Sequence, residues 1–244
     1  SRKIGKQVAE IYQQMAIDDI SGKSNFKQDS EKLIAEYKKC KREREISKAI
    51  KELKQSYKTN TTKIPRELSY LVGKHREMYL HDMKLCQEFA KINRRIIQST
   101  ICYYMCWEVT KETERFQTIH NYIEYDTNIV RKGAISAKTG EKVLIPINMR
   151  DGCILGIGKG NEDWNYSAPH GAGRTMSRSK AKESILLEEY QKAMDGIFTT
   201  SVNTSTIDES PMAYKTMDEI IGNIKDTVEI VDIIKPIYNF KANE

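Results

Sequence analysis

The sequence predicts an α+β protein in two parts: a helical N-terminal half, residues 1–110, then a mixed β-rich half with short helices, residues 111–244. Three observations predict it. Up to about residue 110, apolar side chains recur at helical spacing. Beyond Gln117, short alternating or apolar runs replace them. Gly133, Gly140, Gly152, Gly156, Gly158 and Gly160 punctuate those runs, as tight turns between strands require.

The first helix is predicted over Lys3 to Met15, where Ile4, Val8, Ile11, Tyr12 and Met15 share one stripe. Ser21 to Asn25 forms a polar break. A second helix is predicted from Asp29 to Tyr57, rich in Lys and Glu at i, i+4 offsets. Its apolar stripe is thin. Thr59 to Pro65 reads as a linker. A third helix, Lys74 to Trp107, carries Met78, Leu85, Phe89, Ile92, Ile96 and Ile97 at helical spacing. Such a stripe predicts core packing rather than a binding surface. In the second half, strands are predicted at Tyr122–Tyr125, Asn128–Val130, Val143–Ile147, Cys153–Ile157 and Val228–Ile234. Short helices are predicted at Ser179–Met194 and Met217–Ile224.

The composition is that of an ordinary globular chain, 39% hydrophobic and 30% charged over 244 residues. No apolar run approaches the roughly 20 residues that span a bilayer, so no membrane partner is expected. The net charge of +6 favours an anionic partner. The basic run Lys38 to Lys58 is offset by Glu43, Glu45 and Glu52, and reads first as a solvated helix face. The cysteines, at 40, 86, 102, 106 and 153, are odd in number and irregular in spacing, which argues against a disulfide framework. Cys102 and Cys106 are expected as buried thiols in a reducing, cytoplasmic compartment.

Chemistry concentrates at two of the four histidines. His75 and His81 lie in a polar helical stretch and read as structural or solvated. His120 stands just before a strand. His170 stands in Ala168-Pro169-His170-Gly171-Ala172-Gly173-Arg174. Small residues after a histidine let backbone N–H groups approach a phosphate, and an adjacent arginine offers a bidentate donor. An imidazole in that setting can attack a nucleoside triphosphate at phosphorus. A His-Gly turn is more often structural, so the residue types alone leave both readings open.

The longer string resolves them. Gly158 to Arg178, GKGNEDWNYSAPHGAGRTMSR, closely resembles the nucleotidylation motif of the RtcB family of RNA-splicing ligases. Other segments follow in the same order. Ser1-Arg2-Lys3-Ile4-Gly5 resembles the tail of a His-Ser-Gly-Ser-Arg segment, and Ile119-His120-Asn121 a metal-binding His-Asn pair. Asp208-Glu209-Ser210-Pro211 with Ala213-Tyr214-Lys215 resembles an Asp-Glu-Ala-Pro and Ala-Tyr-Lys segment. Ile234-Lys235-Pro236-Ile237, ending at Lys241, resembles the family C-terminus. The resemblance covers essentially the whole chain.

The resemblance implies an RtcB-like fold. It also implies a GTP- and Mn²⁺-dependent ligase joining RNA 3′-phosphate or 2′,3′-cyclic phosphate ends to 5′-hydroxyl ends. It implies His170 as the guanylate acceptor and His120 as a manganese ligand. Asn121, Pro146, Met149, Gly171, Ala172, Gly173, Tyr214 and Lys241 are implied around the nucleotide, and Arg2 and Arg174 on RNA phosphates. A Pro-Gly-Ser-Met loop is replaced by Pro146-Ile147-Asn148-Met149, so the serine roles would pass to Asn148 and Cys153. Arg150-Asp151 could be a local ion pair or a phosphate contact. The family's remaining metal ligands are expected to precede Ser1, which would make this the C-terminal portion of a single, N-terminally incomplete ligase domain or one half of a split enzyme. A competing reading is a non-catalytic RNA-binding module; ligation of DNA ends or repair of damaged RNA fits the same motifs.

Overall fold

The computed structural model describes residues 2–20, 23–59 and 65–241. They form two compact units, Ser1–Thr110 and Lys111–Glu244. Ser21, Gly22 and the stretch 60–64 lie outside the described residues, so the predicted break and linker are tested only at their edges.

The first unit is helical. Helix α1 (Arg2–Ile20) packs on the long helix α4 (Gly73–Tyr104). The Tyr12 hydroxyl donates to Asp82 at 2.7 Å and its ring meets Tyr79 edge to face at 5.4 Å. Asp19 holds His75 at 2.5 Å, in keeping with a structural role for that histidine. The single helix predicted over Asp29–Tyr57 is two: α2 (Lys23–Lys39) and α3 (Ile46–Thr59). Lys41 takes a positive φ of 55°, which ends α2, and a 3-10 turn at Glu43–Glu45 starts the return. Phe26 then packs edge to face on Tyr57. The Lys/Glu spacing continues across this break because charged i, i+4 pairs mark helix without marking where it turns.

Helix α4 corrects a second expectation. None of its described residues is buried. Leu85, Phe89, Ile92, Ile96 and Ile97 are all about half exposed. Helical periodicity reports a one-sided helix and says nothing of what covers the side. Cys102 is half-buried and Cys106, beyond the helix end, is exposed, so they are not the buried pair expected; all five cysteines are free thiols.

The second unit holds two three-stranded antiparallel sheets. One orders β1 (His120–Glu124), β2 (Ile129–Ser136) and β5 (Ser167–Pro169); the other orders β3 (Lys142–Asn148), β4 (Gly152–Gly158) and β6 (Val228–Ile234). Strand β5 was not predicted; three residues are too few to display alternation. Helix α7 (Met217–Ile224) falls where predicted, whereas Ser179–Met194 splits at Ile185–Leu186 into α5 (Arg178–Ser184) and α6 (Leu187–Ala193). Ile135, Val143, Ile145, Ile147, Ile154, Ile220, Ile224 and Val228 form one core between the sheets and α7. Met149, Ala181, Tyr190, Met194 and Ile207 form a second. Gly152 is obligatory at the β3–β4 turn: its φ is +87°, and a Cβ there would run into the Ile234 carbonyl. No described helix is long and apolar enough to cross a membrane.

Candidate nucleotide-binding and catalytic site

Pairing of β5 with β2 places His170. Pro169 lies opposite Ala134, and the next residue, His170, turns its ring back onto β2. Its Nδ1 lies 2.6 Å from the Gly133 carbonyl oxygen. A carbonyl only accepts, so Nδ1 is the donor here, and in the neutral ring the lone pair then falls on Nε2. Gly133 is itself held: its N–H donates to Asn121 Oδ1 at 2.9 Å. Asn121 sits at an irregularity of β1 with φ +57°, a conformation asparagine tolerates better than most residues. The His120 ring stacks on the His170 ring, with centroids 4.7 Å apart and planes 25° from parallel.

The loop after His170 is pinned to β3. Ala172 N–H donates to the Pro146 carbonyl at 3.1 Å, and a Cβ on Gly171 would sit 3.1 Å from that same oxygen. Gly173 has φ +73°, and its carbonyl accepts from Lys215 N–H. The result is a backbone turn with little side-chain bulk, next to a cleft of about 710 Å³. Pro146, Asn148, Met149, Cys153, His170, the Gly171–Gly173 turn, Arg174, Tyr214 and Lys241 all border it, together with Glu209.

Sharing a cleft does not make every side chain available. Asn148 spends its side chain on the turn: Oδ1 accepts from the N–H groups of Arg150 and Asp151 at 2.9 Å each, and Nδ2 donates to Asp151. Arg150 donates to Asp151 at 2.8 Å, which decides for the local ion pair. Met149 is buried, with its sulfur accepting from Tyr190. Burial pushes the Cys153 thiol above its ordinary pKa, so it is neutral at physiological pH. Arg174 donates to the Asp208 carbonyl through both terminal nitrogens and lies over the Tyr214 ring at 4.8 Å. Its guanidinium is engaged with its own chain. Arg2 is exposed on α1, in the first unit.

The sequence motif around Glu209 points to no role for that residue. In the fold it sits among three cations and a phenol: Tyr214 OH and Lys241 Nζ donate to its Oε2 at 2.9 and 3.1 Å, and Arg174 and Arg178 lie 3.7 and 3.9 Å from Oε1. Burial alone would raise its carboxyl, but those donors hold it below the usual carboxylate range. Tyr214 moves the other way. Burial and the bond to Glu209 push its phenol up to about 12.

For a metal, the fit is poor. Among the described residues no group of three or more His, Cys, Asp or Glu side chains could hold an ion. His120 is one donor, and a transition-metal site needs several. The described residues of this chain therefore do not compose a manganese site.

One cleft of the α+β unit thus gathers a histidine held at Nδ1, a glycine turn and a lysine–tyrosine pair. The family model for tRNA-splicing ligase RtcB matches residues 1–242. The chain belongs to that family. It is 29% identical over 213 residues to the RNA-splicing ligase RtcB of Escherichia coli K12, covering 81% of this chain and 51% of that protein. It is 41% identical over 86 residues to the tRNA-splicing ligase RtcB of Aeropyrum pernix, covering 33% of this chain and 18% of that one. The chain spans about half the length of the Escherichia coli relatives it matches.

Proposed function

We propose that this chain carries the nucleotide-activating part of an RNA ligase that uses GTP and works through a histidine-guanylate. The observation that carries the reading is the His170 ring, fixed by the Gly133 carbonyl beside a glycine turn and a nucleotide-sized cleft. In the proposed reaction Nε2 attacks the α-phosphorus of GTP. A nitrogen–phosphorus bond forms, and pyrophosphate leaves with the electron pair of the broken bond. The RNA 3′-phosphate then takes the guanylate, returning the pair to Nε2. Finally the 5′-hydroxyl attacks the activated 3′-phosphate, loses its proton, and GMP departs. The Gly171 and Gly173 N–H groups would face the phosphates, the Ala172 N–H being engaged with Pro146, and Lys241 and Tyr214 would face the base.

The relatives' names support RNA as the substrate class; the 3′-phosphate or 2′,3′-cyclic phosphate ends, the cytoplasmic setting and a role in tRNA splicing or RNA repair are part of the proposal. The sparse metal donors favour one addition. We propose that manganese-dependent chemistry needs further ligands from outside the described residues, to which His120 contributes one. A chain lacking them would bind nucleotide or RNA without completing ligation.

Mass spectrometry after incubation with GTP and Mn²⁺ tests both parts. A gain of one guanylate, lost in His170→Ala, supports the nucleophile. An adduct on the unsupplemented chain refutes the need for further ligands. An adduct that survives His170→Ala refutes the assignment of the nucleophile.

A further inference from the structure

We propose that Glu209 is the positioning residue of this cleft, tying the polar ends of Lys241 and Tyr214 together and so setting preference for GTP over ATP. The inference rests on the nucleotide reading above. One carboxylate oxygen, Oε2, accepts from both the Tyr214 hydroxyl and the Lys241 ammonium, at 2.9 and 3.1 Å. Those side chains come from distant points of the chain, and this shared acceptor links their polar ends.

Without it, Lys241 is a flexible four-carbon arm near the chain end, 38% exposed. The tether costs Lys241 one of three N–H donors and leaves two for a ligand. An ammonium so placed can donate to the O6 acceptor of guanine. Adenine carries an amino group at that position and offers no acceptor there, so the bond is lost and the donor is left unsatisfied. Tyr214, with its hydroxyl fixed by Glu209 and one ring face covered by Arg174, has a set ring plane against which a base can lie. Glu209 is only 19% exposed, so water competes weakly for its oxygens. Its contacts to Arg174 and Arg178 hold the carboxylate from the other side. Glu209 thus acts through its neighbours and need not touch the nucleotide.

The test is Glu209→Gln, which preserves shape and removes charge. Binding of GTP and of ATP is measured calorimetrically on the intact chain, and the Tyr214 phenol is titrated by ¹³C NMR of labelled tyrosine, assigned with Tyr214→Phe. In Glu209→Gln the Tyr214 titration should fall from about 12 toward its ordinary value near 10. GTP affinity should fall about tenfold, the loss of one charge-assisted hydrogen bond, with ATP affinity unchanged. If the variant keeps the GTP preference, or the Tyr214 titration does not move, the role of Glu209 is refuted while the nucleotide reading stands. If the unaltered chain shows no preference for GTP, both are refuted. Should Glu209→Gln fail to fold, Lys241→Met and Tyr214→Phe each remove one bond to the same oxygen. Each must then weaken GTP and spare ATP, and equal loss of both nucleotides overturns the inference.

Discussion

At the scale of single residues, the candidate nucleophile depends on a carbonyl that depends on an amide. His170 Nδ1 meets Gly133 O, and Gly133 N–H meets Asn121 Oδ1. The resemblance implies that Asn121 touches the nucleotide; in the fold its Oδ1 holds the strand that holds the histidine, a bond that leaves Nδ2 uncommitted to Gly133. This arrangement separates two substitutions. Asn121→Asp keeps the acceptor and suits the positive φ, so its stability should stay within about 0.5 kcal/mol of the unaltered chain. Asn121→Ala leaves the Gly133 N–H without its partner and should cost about 1 kcal/mol. Urea unfolding measures both, and equal costs would show that the acceptor does not matter. Arg174 carries the same lesson. Sequence marks it as a phosphate donor, but the fold has already engaged it with Asp208 and Tyr214.

At the scale of elements, β2 is the member that orders the site, and a charged hub fastens it. Arg131 on β2, with a side chain 1% exposed, meets Glu124 of β1 at 3.0 Å and Ser167 of β5 at 3.0 Å. Lys138 closes the other side of Glu124 at 2.6 Å. Burial alone would raise the Glu124 carboxyl. The bonds from Lys138, Thr127 and Arg131 outweigh it and hold the value at about 2, against an ordinary 4.5. A carboxyl lowered on folding stabilises the protein above its unfolded value and loses that contribution as pH falls through the folded one. Stability should therefore decline as pH drops from about 4.5 toward 2. In Glu124→Gln that part of the decline should be missing, and an unchanged acid profile would deny Glu124 its part. At neutral pH, Glu124→Ala leaves a buried arginine without its carboxylate partner and should cost about 3 kcal/mol by denaturant unfolding.

At the scale of the whole molecule, the two units differ in how completely each covers its own apolar surface. The second encloses two cores; the first leaves the stripe of α4 half exposed. Phe89→Lys and Ile96→Lys should each change the stability of this chain by less than about 0.5 kcal/mol, since neither vacates a packed site. A loss above about 2 kcal/mol in urea unfolding would mean that the stripe is packed. The same two changes made in the predicted strands, at Ile145 or Ile154, would bury an unpaired charge in a filled core.

Much of the molecule was legible in the residues alone. The change from helix to strand near residue 110, the strands β3, β4 and β6, helix α7 and the string around His170 are local, and the chain writes periodicity and motif locally. What the residues could not carry is partnership across the chain. His170 meets Gly133 across 37 positions, and Glu209 meets Lys241 across 32. Neither pairing has a period or a spacing to display beforehand. The same holds for the turn at Lys41, for the exposure of α4 and for Arg174, because a side chain's partner is chosen by which strand returns beside it. Sequence by itself determined the family and singled out His170 as the candidate nucleophile. Only the tertiary structure decided which carbonyl meets its Nδ1 and which carboxylate links Lys241 to Tyr214, because hydrogen bonds are made between groups that folding brings within about 3 Å.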